Sequence, residues 1–165
     1  MKILTVAAFG ATAAVVVATT GAGHATNVVD PKIVSVGSDR VQCMDLKNYN
    51  IGTPVTLENC GHSTNNSNRW RLLDDGRIQS AGSGYTRCLD LKDYNSGTPI
   101  TLEDCGHSTN GSNQWDHFGG VLLVSEGSPE FMCMDLKNYS TGTPVTLEDC
   151  TFSENGSNNW ELDFR

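Results

Sequence analysis

Three sets of charged side chains recur at a fixed interval of 45 residues: Asp45, Lys47 and Glu58; Asp90, Lys92 and Glu103; Asp135, Lys137 and Glu148. Paired carboxylates support a few distinct chemistries. They hydrolyse glycosidic bonds when held roughly 5–9.5 Å apart in a site that raises the pKa of one of them. They hold metal ions when further ligands converge. They also accept hydroxyl groups, several at a time. Hydrolysis is disfavoured, because the pair occurs three times and no segment offers a cleft that would exclude water. A metal centre is disfavoured as well. His62 and His107 recur, but Phe152 breaks the series, and no calcium-loop pattern is present. No metal, no cofactor and no catalytic residue is therefore expected, which leaves the hydroxyl-accepting surface.

The elements that must carry these side chains follow from the pattern around them. Cys43–Trp70, Cys88–Trp115 and Cys133–Trp160 align without a gap, the signature of a repeat architecture. Within each unit the apolar period is two. Met44 and Leu46, Val55 and Leu57, Trp70 and Leu72 alternate with polar neighbours, as in half-buried strands. Asn50–Pro54 and Asp74–Gly76 carry turn residues. Further strands are expected near 33–36, 77–79 and 121–124, giving about four per unit. Three such units make an all-β, pseudo-threefold β-trefoil, since a propeller needs at least about four blades. The units span about 33–75, 76–120 and 121–165.

Each unit holds its own cysteine pair, 17 positions apart. One disulfide per repeat is expected: Cys43–Cys60, Cys88–Cys105 and Cys133–Cys150. Each closes a loop worth roughly 3 kcal/mol in the chain-entropy view. If Cys43 faces Cys60 across an antiparallel pair, Asp45 faces Glu58 and Lys47 faces Thr56, all on the side opposite Met44 and Leu57. Each repeat would then show an outward polar patch.

Lys2, the nearly uncharged run Ile3–Thr20 and the small residues of Gly23–Ala25 have the three-part form of a secretory signal peptide over residues 1–25. The domain then occupies 26–165 and is expected to be secreted and extracellular, where disulfides persist. No later segment is apolar enough for membrane insertion. With 19 Asp+Glu against 11 Lys+Arg and a net charge of −8, the chain has no use for phosphate backbones, so nucleic-acid partners are excluded.

An Asp two places after the first Cys, a second Cys and a Trp ten places beyond it, three times over, resembles the ricin B-chain type of β-trefoil lectin, known by its QxW repeat. The resemblance runs from about Ile33 to Arg165. It implies twelve strands and up to three shallow sites for a carbohydrate or glycoconjugate partner, of galactose type, in which Asp45, Asp90 and Asp135 read sugar hydroxyls. It adds Asn68, Asn113 and Asn158, which stand where the motif has Gln, and the facing Glu58, Glu103 and Glu148. The chain departs from the family at two places in every repeat. Glu replaces the aromatic platform, and Ser67, Ser112 and Ser157 stand where Asn is usual. Tyr49, Tyr94 and Tyr139, or His62 and His107, could stack on a sugar instead; a Tyr packed over its own hairpin is the alternative. By their own sequences the first two repeats should behave most alike. Four sequons, at Asn65, Asn110, Asn138 and Asn155, could take an N-glycan. The expected function is a multivalent, non-catalytic lectin with weak individual sites. The competing reading is a β-trefoil whose sugar sites are lost and which binds a protein target, as a protease inhibitor or an effector.

Overall fold

The computed structural model describes residues 29–63, 65–108, 110–151, 153 and 155–165. The leader expected over 1–25 and Phe152 lie outside them. Among the described residues there is no helix; the chain forms short strands. The first repeat contributes β1 (Lys32–Ser35), β2 (Gln42–Asp45), β3 (Thr53–Pro54), β4 (Thr56–Asn59) and β5 (Trp70–Leu72). The second contributes β6 (Ile78–Ser80), β7 (Arg87–Leu91), β8 (Ile100–Asp104) and β9 (Trp115–Phe118). The third contributes β10 (Leu122–Ser125), β11 (Met132–Leu136), β12 (Val145–Asp149) and β13 (Trp160–Asp163). The segments β3 and β4 are one strand interrupted at Val55, so each repeat has four, as the pattern predicts.

The first and last strands of the repeats close a six-membered ring. Antiparallel ladders join β13 to β1, β5 to β6 and β9 to β10, so the end of each repeat pairs with the start of the next. Within each repeat the tryptophan N–H closes the remaining gap, donating to Pro31, Gly76 and Val121 carbonyls respectively. The middle strands form three hairpins, β2–β4, β7–β8 and β11–β12, which cover one end of the ring. These hairpins are stitched cyclically, by Val55 N–H to Ile100, Leu147 N–H to Thr98 and Leu57 N–H to Thr143.

Alternation decides which side is inside. Met44, Leu57, Leu89, Leu102, Met134 and Leu147 point into one core with Trp70, Trp115 and Trp160. A buried indole N–H must find an acceptor. Each reaches the carbonyl of the hairpin residue 26 positions earlier (Met44, Leu89, Met134) at 3.0–3.3 Å and so ties ring to cap.

The expected disulfides are present, Cys43–Cys60, Cys88–Cys105 and Cys133–Cys150, with Cα atoms 4.9–5.1 Å apart. The expected register is not. Cys43 faces Glu58 and Asp45 faces Thr56; Cys88 faces Glu103 and Asp90 faces Thr101; Cys133 faces Glu148 and Asp135 faces Thr146. The ladder is displaced by two residues because each second cysteine sits in a turn beyond its strand. Asn59, Asp104 and Asp149 accept the N–H two residues on through their side chains, at 2.8–3.0 Å, and fold the chain over. Cys60 N–H then bonds the Val41 carbonyl, and its sulfur reaches Cys43 diagonally. A shift of two keeps every side chain on its face. The polar patch survives, but Asp45 and Glu58 become diagonal neighbours, and Lys47 stands beyond the paired strand.

Candidate functional site

Each hairpin carries an open cleft on its polar side. The first is lined by Asp45, Lys47, Glu58, His62, Asn65 and Ser67, among others; the second by Asp90, Lys92, Glu103, His107, Asn110 and Ser112; the third by Asp135, Lys137, Tyr139, Glu148, Asn155 and Ser157. The aspartates lie at the floor, only 5–6% exposed. One oxygen of each accepts the N–H of the next residue (Leu46, Leu91 or Leu136) at 2.5–2.7 Å. That bond fixes the carboxylate's direction and still leaves most of its acceptor capacity for hydroxyl groups.

Around the floor stand half-buried glutamates and exposed lysines. Glu58, Glu103 and Glu148 each accept from the threonine two residues earlier, at 3.1–3.4 Å. Their strands therefore hold them in place. In the third site burial pushes Asp135 above its ordinary value, the Ser157 hydroxyl and Leu136 N–H oppose this, and the Glu148 charge adds a smaller upward push. Repulsion between the two carboxylates is thus only a secondary effect there, in keeping with their diagonal placement.

The tyrosines are held against the neighbouring repeat rather than over their own hairpins. Each hydroxyl donates to the backbone carbonyl of the loop asparagine 16 residues on: Tyr49 to Asn65, Tyr94 to Asn110, Tyr139 to Asn155, at 2.7–3.1 Å. Each ring also lies against a glycine of the neighbouring repeat: Tyr49 on Gly82, Tyr94 on Gly127 and Tyr139 on Gly37, where any β-carbon would overlap the phenol. Burial first, and then the nearby site aspartate, raises all three phenol pKa values, so they stay protonated donors. Tyr49 and Tyr139 still border the first and third clefts, whereas Tyr94 lines a separate one with Ser128 and Pro129.

Asn68, Asn113 and Asn158 are not brought to the clefts. They are 2–5% exposed and donate to the Cys60, Cys105 and Cys150 carbonyls at 3.1–3.3 Å. Their amides hold the loop that follows each disulfide. His62 and His107 are exposed at the lips of the first and second sites. All four sequon asparagines are exposed and line the sites themselves: Asn65 the first, Asn110 the second, Asn138 and Asn155 the third. Among the described residues no cluster of His, Cys, Asp or Glu is arranged to hold a metal ion.

Sequence reasoning missed three groups. Ser63, Ser108 and Ser153 share hydroxyl contacts of 3.0 Å with Ser67, Ser112 and Ser157. The glycines under the tyrosines recur at 37, 82 and 127, each followed by Ser; that interval was a usable signal. Ser96 of the second repeat enters the third cleft, which no pattern within one repeat reveals.

The ricin-type β-trefoil lectin domain family matches residues 32–130, more than half of the chain. No curated protein matches the chain in sequence. Several solved structures share the fold. An agglutinin from Abrus precatorius superposes with a TM-score of 0.68 at 20% identity, over 81% of this chain and 48% of its own. This chain thus spans about half that agglutinin's length. The β-trefoil lectin of the Vibrio vulnificus hemolysin/cytolysin, with N-acetyl-D-lactosamine bound, superposes at 0.61 and 22% identity, over 82% and 93%. The C-terminal half of an earthworm R-type lectin, in complex with GalNAc, superposes at 0.62 and 12% identity, over 81% and 96%. With the cysteine, aspartate and tryptophan frame repeated three times around one barrel, the chain belongs to the ricin-type β-trefoil lectin family of carbohydrate-binding domains.

Proposed function

We propose that this chain is a secreted, non-catalytic lectin that attaches to galactose-type glycans through three weak sites acting together. The observation that carries the reading is the threefold cleft with a backbone-fixed aspartate at its floor and Glu, Lys and Ser around it. Such a floor accepts sugar hydroxyls without changing them. The sugars in the Vibrio and earthworm structures mark the first ligands to test. Without an aromatic face a monosaccharide loses stacking, so single-site affinity is expected on the order of millimolar or weaker. Attachment then depends on clustered or branched glycans, where effective concentration multiplies weak contacts. The open form of the clefts argues against hydrolysis, since a sugar bound there stays in contact with water. Secretion is supported by the leader-like residues 1–25 and by the three disulfides. An N-glycan on Asn65, Asn110, Asn138 or Asn155 would cover a site, so sugar binding calls for these sequons to be empty.

A glycan array tests this. Binding to galactose- or GalNAc-terminated branched glycans, competed by free sugar, is expected. Silence on the array together with tight capture of a purified protein target would replace the lectin by the protein-binding trefoil.

A further inference from the structure

The three sites share their carboxylates but not their outer walls. Each hairpin loop is handed to the next repeat: Gly52 N–H donates to the Leu102 carbonyl, Gly97 to Leu147 and Gly142 to Leu57, all at 2.8 Å. Each acceptor immediately precedes a site glutamate (Glu103, Glu148 or Glu58). The residue before each glycine therefore stands beside the glutamate of the following repeat.

The third site exhibits this contact directly. Ser96 lines the cleft and its hydroxyl donates to Glu148 Oε2, while Thr146 holds Oε1 at 3.1 Å. Both oxygens of Glu148 are thereby engaged. By the same backbone bond Ile51, 59% exposed, stands next to the residue that reaches the second site: its neighbour Gly52 lines that cleft. At the first site the residue is Thr141, whose hydroxyl accepts from Gln42 Nε2 at 3.4 Å. Among the described residues Glu58 is left with Thr56. One structural position thus offers an alkyl group, a glutamate-binding hydroxyl and a hydroxyl turned to the strand.

We propose that this borrowed residue sets the ligand preference of each site. Ile51 supplies the second site with the apolar contact that the absent aromatic would have given, favouring sugars with an apolar substituent such as an N-acetyl methyl. Ser96 fixes Glu148 and reserves the third site for sugars bearing only hydroxyls. The inference rests on the lectin reading. It also breaks the likeness of the first two repeats: their own sequences match, but their outer walls do not.

Single-site proteins separate the cases. In the full chain, Asp45→Asn with Asp135→Asn leaves the second site, and Asp45→Asn with Asp90→Asn leaves the third. Methyl β-galactoside and methyl N-acetyl-β-galactosaminide are titrated against each by NMR chemical-shift perturbation. The second-site protein should prefer the N-acetyl sugar by about three- to tenfold, a modest ratio because the contact is an open one. Ile51→Ser should bring the ratio to within about twofold, and Ser96→Ile should confer the preference on the third site. An unchanged ratio after Ile51→Ser, in a protein with native amide dispersion and measurable sugar binding, overturns the inference and leaves the lectin standing. If folded parents of both kinds bind neither these sugars nor any arrayed glycan, the lectin reading fails and the inference with it.

Discussion

Asp135 lies at the floor of the third cleft, where burial and its hydrogen bonds act in opposite directions. Burial dominates and raises its pKa, so ionised Asp135 costs stability; that cost is absent below the unfolded value and develops as pH rises through the folded one. Sugar binding runs the other way, because only the carboxylate accepts two hydroxyls. A protein with the third site alone should lose binding on acidification at a pH above the ordinary aspartate range. Binding that stays constant down to about pH 4 would show that Asp135 titrates normally or takes no part. Glu58 invites a complementary substitution. It lies diagonal to Asp45 on the same face, so Glu58→Trp should rebuild a platform over the floor. A gain of about tenfold in galactoside affinity by titration calorimetry is expected, in keeping with the worth of an aromatic contact. A folded variant that binds no better than the parent would move the site away from this face.

At the scale of elements, the seams between repeats rest on small residues. Gly37, Gly82 and Gly127 have backbones that would admit alanine, but no room for its β-carbon beside Tyr139, Tyr49 and Tyr94. Gly82→Ala should therefore destabilise by about 1–3 kcal/mol in denaturant titration. In a Tyr49→Ser background the same change should cost little, giving a coupling of about 1 kcal/mol or more. Additive effects would mean that the tyrosine does not set the seam. A second joint is particular to the start of the chain. Asp30, 9% exposed, accepts from Tyr85 Oη at 2.6 Å and Arg71 Nε at 2.9 Å, and Arg71 stacks 3.9 Å over the Tyr85 ring. This triad ties the segment before β1 to the first and second repeats. Asp30→Ala leaves two partners unsatisfied and is expected to cost about 2–4 kcal/mol. No change in the denaturation midpoint would show that the triad is dispensable.

For the whole molecule, the threefold plan was legible because cysteine, aspartate and tryptophan recur at one interval, and strand faces followed from a period of two. Register was not legible. It depends on where the strand ends, and the turn made by Asn59, Asp104 or Asp149 moves each second cysteine off the ladder. Parity protected the polar face from that error. Asn68, Asn113 and Asn158 were misplaced for a different reason: a recurring polar residue looks the same whether it meets a ligand or satisfies a buried carbonyl. Contacts such as Ser96 to Glu148 and Tyr49 to Gly82 were hidden because an internal repeat does not say which loop meets which neighbour. The charge distribution also acts globally. Asp75, Asp93, Asp104, Asp149, Glu161 and Asp163 are all held below their usual values, chiefly by hydrogen bonds from Arg, Thr or backbone groups. Their contributions are present above the unfolded carboxylate range and lost as pH falls through the folded values. Thermal stability should therefore be flat near neutrality and decline below about pH 4.

The threefold aspartate floor as the attachment surface is tested most directly by binding of the Asp45→Asn, Asp90→Asn, Asp135→Asn triple variant to a dense galactose-terminated glycan surface in a biosensor. The substitutions keep shape and remove the carboxylates. Each single change should weaken attachment in part, and the triple variant, with native near-ultraviolet circular dichroism and intact disulfides, should give no sugar-competed signal. Sugar-competed binding of the folded triple variant at the parent's strength would contradict the assignment and place recognition elsewhere on the trefoil.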